Sequence, residues 1–151
     1  MSIKNILLSL TTVFVLLANT VFAAGHSTIP VGVSGYDLVS YHQSSGPVSG
    51  NGHHVFEHDG VTYLFSNTEN KALFAASPSK YLPAYGGYCA FGASLGKKFY
   101  GDPKVYTIVD NKLYLNLDNK IKGMWSKDIP GSIAEADKLW PSIKNVAASK
   151  L

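Results

Sequence analysis

The sequence predicts a small α+β single domain, two β-hairpins packed against short helices. Three observations predict it. Asp59-Gly60 is a favoured two-residue turn flanked by aromatic and β-branched residues. Asp110-Asn111 can supply a second turn, with Tyr106, Ile108 and Val109 before it and Leu113, Tyr114 and Leu115 after. Ile133, Ala136, Leu139 and Trp140 form one apolar face of a helix between Gly131 and Trp140.

The start of the chain is unlike the rest. Lys4 precedes the apolar runs 6–8 and 13–18, and Val21-Phe22-Ala23 fits a cleavage site. That is the layout of a secretory signal peptide over residues 1–23, which implies a periplasmic or secreted protein. The run is broken by Ser9, Thr11, Thr12 and Asn19 and is short for a bilayer span. No membrane association is therefore expected after cleavage. Residues 24–34 read as an irregular lead-in, 35–143 as the domain and 144–151 as a frayed tail. No internal repeat and no second domain are visible.

Within the domain, a two-residue turn at Asp59-Gly60 places His58 opposite Val61, Phe56 opposite Tyr63 and His54 opposite Phe65. Period-two alternation puts all six on one face. Ser66 to Glu69 reads as a capping box, with Ser66 at the N-cap of a helix reaching Ala76. Leu73 and Phe74 are its expected buried residues. Ser77-Pro78 stops that helix. Residues 82–95 set glycines among aromatics, which indicates tight backbone geometry and close approach. Trp125 anchors a weakly helical stretch over 121–126, and Pro141 is expected to end the last helix.

Composition narrows the function. The net charge is +3, and all thirteen basic residues are Lys, scattered apart from Lys97-Lys98. That is a solvated surface and not a nucleic-acid footprint. The absence of Arg also removes bidentate recognition of phosphate or carboxylate. Cys89 is the one cysteine, so no intramolecular disulfide exists. Gly92-x-Ser94-x-Gly96 fits a nucleophile pattern, but all five histidines precede it and no strand leads into it.

Several stretches together resemble the secreted branch of the YHS-domain family. They are Gly35-Tyr36-Asp37-x-Val39-x-Tyr41, Gly60-x-x-Tyr63-x-Phe65-Ser66, Glu69-Asn70-Lys71-x-x-Phe74, and Pro78-x-Lys80-Tyr81-x-Pro83-x-Tyr85-Gly86-Gly87-Tyr88-Cys89-Ala90. Asp102-Pro103, Leu113-Tyr114-Leu115-Asn116, Trp125 and Ala136-Asp137-x-x-Trp140-Pro141 complete a likeness spanning residues 35–141. The resemblance implies a treble-clef-like core and a metal-binding role. The cysteines at the start and inside the helix of metal-binding members are here Ser40, Tyr41 and His42, and Glu69 and Asn70.

Two site readings follow. In the first, a copper or zinc ion is held by Cys89 with one or two of His54, His58 and His42, since thiolate and imidazole suit such ions. In the second, Tyr36, Asp37, Tyr41 and Tyr88 line a pocket for a small organic ligand or cofactor. The bland alternatives stay open beside them. Cys89 is a buried small hydrophobe, or a redox or nucleophilic thiol, and the tyrosines form a structural lattice. The expected partners are a metal ion or small molecule, with no nucleic acid.

Overall fold

The computed structural model describes residues 30–151. The leader reading of 1–23, residues 24–29 and His26 lie outside the described residues. Two antiparallel two-stranded sheets and five α-helices build a small α+β domain. None of these helices is long and apolar enough to cross a membrane.

Strands β1 (Asn51–His58) and β2 (Val61–Phe65) form the first hairpin. Asp59 and Gly60 both take positive φ, at 49° and 74°, the mirror-image turn that matches strand twist. His58 faces Val61 and Phe56 faces Tyr63, as the turn dictates. The expected His54–Phe65 pair does not form. Asn51 stands opposite Phe65 and Val55 opposite Leu64, so residues 52–54 leave the ladder. The cause is local: the Asn51 carboxamide accepts the His53 N–H at 2.9 Å, offering that amide a partner outside the sheet.

Helix α1 (Thr68–Ala76) starts one residue later than the capping box requires. Asn67 is the N-cap and accepts the Asn70 N–H at 2.8 Å. Ser66 is otherwise engaged, through Asp37. Phe74 is fully buried as expected, but Leu73 is 47% exposed, because α1 turns only its Asn70–Phe74 edge inward. Phe74 is an aromatic hub, with Tyr63 and Phe65 ring centroids at 5.0 and 5.1 Å. Pro78 then opens the one-turn helix α2 (Pro78–Tyr81).

The second half builds the same unit again. Strands β3 (Asp102–Val109) and β4 (Lys112–Asn116) repeat the lengths, turn and pairing of β1 and β2. Asp102 faces Asn116 and Tyr106 faces Leu115, the counterparts of Asn51–Phe65 and Val55–Leu64 at a constant offset of 51 residues. The details match too. Asp102 accepts the Lys104 N–H at 2.8 Å, as Asn51 accepts that of His53. Asp118 caps helix α4 (Asn119–Trp125) through the Ile121 N–H at 2.7 Å, as Asn67 caps α1. Buried Trp125 stands where Phe74 stands. The expectation of no internal repeat is therefore corrected. Few positions are identical, among them Gly50/Gly101, Asp59/Asp110, Tyr63/Tyr114 and Leu64/Leu115. What repeats is register and capping, which different side chains satisfy equally well.

Two cores result, and β4 serves both. Its Leu113 and Leu115 join Leu38, Tyr41, Phe65 and Phe74, while Tyr114 between them joins Ala90, Trp125 and Ala136. Helix α5 (Ile129–Ile143) covers the second core with fully buried Ala136. It runs through Pro141, which was expected to end it. The Lys144 N–H still reaches the Trp140 carbonyl at 2.8 Å, so the turn closes around the ring. Lys98 then donates to the carbonyls of Lys144 and Val146 at 2.6 and 2.7 Å, tying the start of the tail to the domain.

A fully buried carboxylate holds the first unit. Asp37 Oδ1 accepts the N–H groups of Val39 (2.9 Å) and Ser40 (3.3 Å). Its Oδ2 accepts the Ser66 N–H (2.9 Å), the Ser66 hydroxyl (2.7 Å) and the Asn70 amide (2.7 Å). Removing it would orphan donors from a loop, a strand end and a helix together. Asp37→Ala should cost about 3–5 kcal/mol in urea denaturation, as buried unpaired donors do. A loss under about 1 kcal/mol would contradict this role.

The repeat makes a second prediction. A Cβ on Gly50 would run into the Leu64 backbone, and one on Gly101 would meet the Leu115 side chain and the Gly87 carbonyl, whereas Gly52 has nothing within 4 Å. Gly50→Ala and Gly101→Ala should each lose about 1–3 kcal/mol by overpacking, and Gly52→Ala should stay within about 0.5 kcal/mol. Equal stability of all three by thermal melting would refute the equivalence.

Candidate functional site

Each unit is entered by an unusual turn. Val33 (φ 46°, ψ 47°) and Ser34 (φ 52°, ψ 27°) are left-handed, and so are Tyr85 (φ 52°, ψ 33°) and Gly86 (φ 61°, ψ 21°). Left-handed geometry is uncommon outside glycine and an outlier for β-branched Val33. The two turns are counterparts and touch: a Cβ on Gly87 would lie 3.6 Å from a Val33 methyl. Between them and the two hairpins opens a cleft of about 1080 Å³.

The cleft lies on the seam of the repeat. Val33 and Tyr85 line it from matched turns, Val61 and Lys112 from matched strand starts, and Tyr63 and Tyr114 from matched strand centres. The second unit adds Tyr88, Tyr100, Asp137 and Trp140, which have no lining counterpart. The first wall therefore carries valines, two serines and the one ring of Tyr63, and the second is richer in aromatic rings and carries the charges. On that second wall Tyr85 sits 5.6 Å from Trp140 and 6.0 Å from Tyr114, centroid to centroid. Tyr88 contacts Tyr100 at 5.4 Å and Trp140 at 6.2 Å.

Two polar features organise this wall. The Tyr85 hydroxyl donates to Asp137 Oδ1 at 2.9 Å. Burial and then that hydrogen bond push the phenol well above its usual range, so it stays a donor. Tyr114 is raised as well, by burial and then by the charge of Asp137. Behind the wall, Lys98 Nζ lies 5.1 Å from the Tyr88 ring centroid and 5.4 Å from that of Trp140, a cation–π arrangement that fixes both rings.

Of the four residues expected to bind a ligand, Tyr88 alone lines this cleft. Asp37 is consumed by the network above. Tyr41 is buried and donates to the Pro103 carbonyl at 2.7 Å, joining the first unit to β3. Tyr36 bridges to Ser49 and packs on the first core. For these three the lattice reading describes what the side chains do.

The four expected metal ligands are not gathered. Among the described residues no group of three or more His, Cys, Asp or Glu side chains could hold a metal ion. Cys89 is fully buried at the start of helix α3 (Ala90–Ser94). Its sulfur accepts the Gly92 N–H at 3.4 Å and donates to Asn116 Oδ1 at 3.6 Å. The entry turns match at an offset of 52, Val33 with Tyr85 and Tyr36 with Tyr88, so Cys89 occupies the place that Asp37 holds in the first unit. His42 packs edge-on to Tyr81, and burial and then Lys80 hold its pKa below the usual imidazole value. His54 sits in the β1 bulge, and His58 lies beside Asp59 at 3.5 Å with its ring edge-on to Phe74. Ser94 Oγ donates to the Phe91 carbonyl at 2.7 Å, an ordinary helical back-bond.

Sequence reasoning grouped Tyr63 and Tyr85 with the other motif tyrosines as pocket or lattice residues, and did not assign Tyr100, Tyr114, Asp137 or Trp140 to a site. A partial signal was present. Tyr85 lies in the glycine-rich segment, and Asp137 and Trp140 are three apart on α5, hence neighbours on one face. Convergence of the two hairpins on them required the fold.

With no base or cation bonded to its sulfur, Cys89 should resist alkylation in the folded protein. Ellman's reagent should react with less than a tenth of the thiol in native buffer and with all of it in guanidinium. Rapid native labelling would show that the burial described here does not hold in solution. Comparison with known proteins returns no match among protein-family models, curated proteins or solved structures.

Proposed function

We propose that this protein is an exported, YHS-like binding protein whose seam cleft holds a small organic ligand. The export part rests on the leader-like residues 1–23 and the family part on the motifs of residues 35–141. The observation that carries the ligand reading is the pairing of the cleft with strain. Left-handed Val33, Ser34 and Tyr85 each cost about 1–3 kcal/mol, and all three line the same opening. Strain retained at a concave, aromatic-walled surface favours recognition over mere packing.

The metal reading lacks comparable support. Its cysteine is sealed against Asn116, and its histidines are distributed over a loop, a bulge and a hairpin end. An enzyme reading would need a base or cation bonded to Cys89, and the sulfur bonds to an amide oxygen and a backbone N–H.

Titration with phenol, indole, glucose and phenethylammonium, followed by tryptophan fluorescence and by NMR, tests the proposal. At least one probe should bind with a millimolar or tighter Kd. Trp140→Ala should weaken it tenfold or more while leaving the melting temperature within a few degrees. Stoichiometric copper or zinc binding that is lost in Cys89→Ser, with no organic probe bound, would replace this reading with the metal one.

A further inference from the structure

The charges on the cleft wall say more about the ligand. Apart from tyrosines, its titratable residues are Asp137 and Lys112. Asp137 has no basic partner within 4.0 Å: the ion pairs among the described residues are His58–Asp59 and Lys138–Glu135. One of its oxygens is engaged by the Tyr85 hydroxyl. The other carries no hydrogen bond among the described residues. Lys98, behind the aromatic wall, is spent on the carbonyls of Lys144 and Val146 and on the rings of Tyr88 and Trp140, and does not line the cleft. The rings left beside the carboxylate are Tyr85 and Tyr114.

A carboxylate without a basic partner repels anions and attracts cations by its charge, and it stands here at the hydroxyl edge of Tyr85. The opposite wall of Val31, Val33 and Val61 is apolar. We infer that the cleft takes a small organic cation, an amine or quaternary ammonium on an apolar or aromatic body, with its charge at Asp137 and its body toward the valines. This rests on the ligand-cleft reading above. Lys112 lies at the hairpin end of β4 on the same cleft and sets a limit on how many positive charges the ligand can carry.

The test compares three probes of one shape: phenethylammonium, neutral 2-phenylethanol and anionic 3-phenylpropionate. The cation should bind at least tenfold more tightly than either of the others at 20 mM salt. Asp137→Asn should erase that preference while leaving 2-phenylethanol within twofold. Tyr85→Phe, which keeps the carboxylate, should keep the preference, and Lys112→Gln should strengthen the cation two- to threefold. Equal binding of cation and alcohol, or tightest binding of the anion, would overturn the charge assignment and leave the cleft reading standing. Binding of none of the three would overturn the charge assignment, and it would remove the cleft reading as well only where phenol, indole and glucose also fail to bind.

Discussion

The architecture depends on one buried carboxylate. Asp37 has no solvent exposure, yet it accepts hydrogen bonds from a loop, the end of β2 and helix α1 at once. A buried charge is tolerated where oriented donors replace water, and here they come from three separate elements. The network fixes how the entry turn, the hairpin and the helix meet. It also holds Ser66 by both its N–H and its hydroxyl, and turns the hydroxyl oxygen toward the side-chain amides of Asn67 and Asn70. The cap falls to Asn67, whose own carboxamide donates to the Ser66 hydroxyl at 3.2 Å.

The second unit meets the same requirement with different chemistry. Cys89 stands where Asp37 stands and Asn116 closes the link to the strand end, so a weak sulfur contact replaces a charge-assisted network. The buried Asn116 Nδ2 has no partner among the described residues, and neither does Trp125 Nε1. The second unit is correspondingly supported from outside, by α5 and by the Lys98 anchor. One copy keeps a self-sufficient polar core, and the other recruits a helix whose Asp137 and Trp140, beside the buried Ala136, also line the cleft. The lone cysteine thus holds a structural position, bonded to Asn116 and to the Gly92 N–H.

The fold was largely legible because turns and helix faces are local. Asp59-Gly60 and Asp110-Asn111 carry their own conformational preference, and the spacing of Ile133, Ala136 and Trp140 is set within one helix. What escaped was non-local or degenerate. The β1 bulge depends on a single Asn51 carboxamide, and without it His54 would face Phe65. The duplication was hidden because Asn67 and Asp118 cap equally well, and Phe74 and Trp125 fill equivalent holes. The cleft was hidden for another reason. Tyr63 and Tyr114 line one cleft only when two hairpins 51 positions apart share a seam, and no short window of sequence contains both.

The double burial of β4 governs the order in which this molecule can be assembled. Leu113 and Leu115 complete the core of the first unit, although they arrive long after its last own residue has been synthesised. A nascent chain that has emerged only as far as α2 holds the hairpin, the helix and Asp37 but lacks that lid of leucines. It stays open until the second hairpin follows. A polypeptide built this way postpones closure of its first core until most of its length is free.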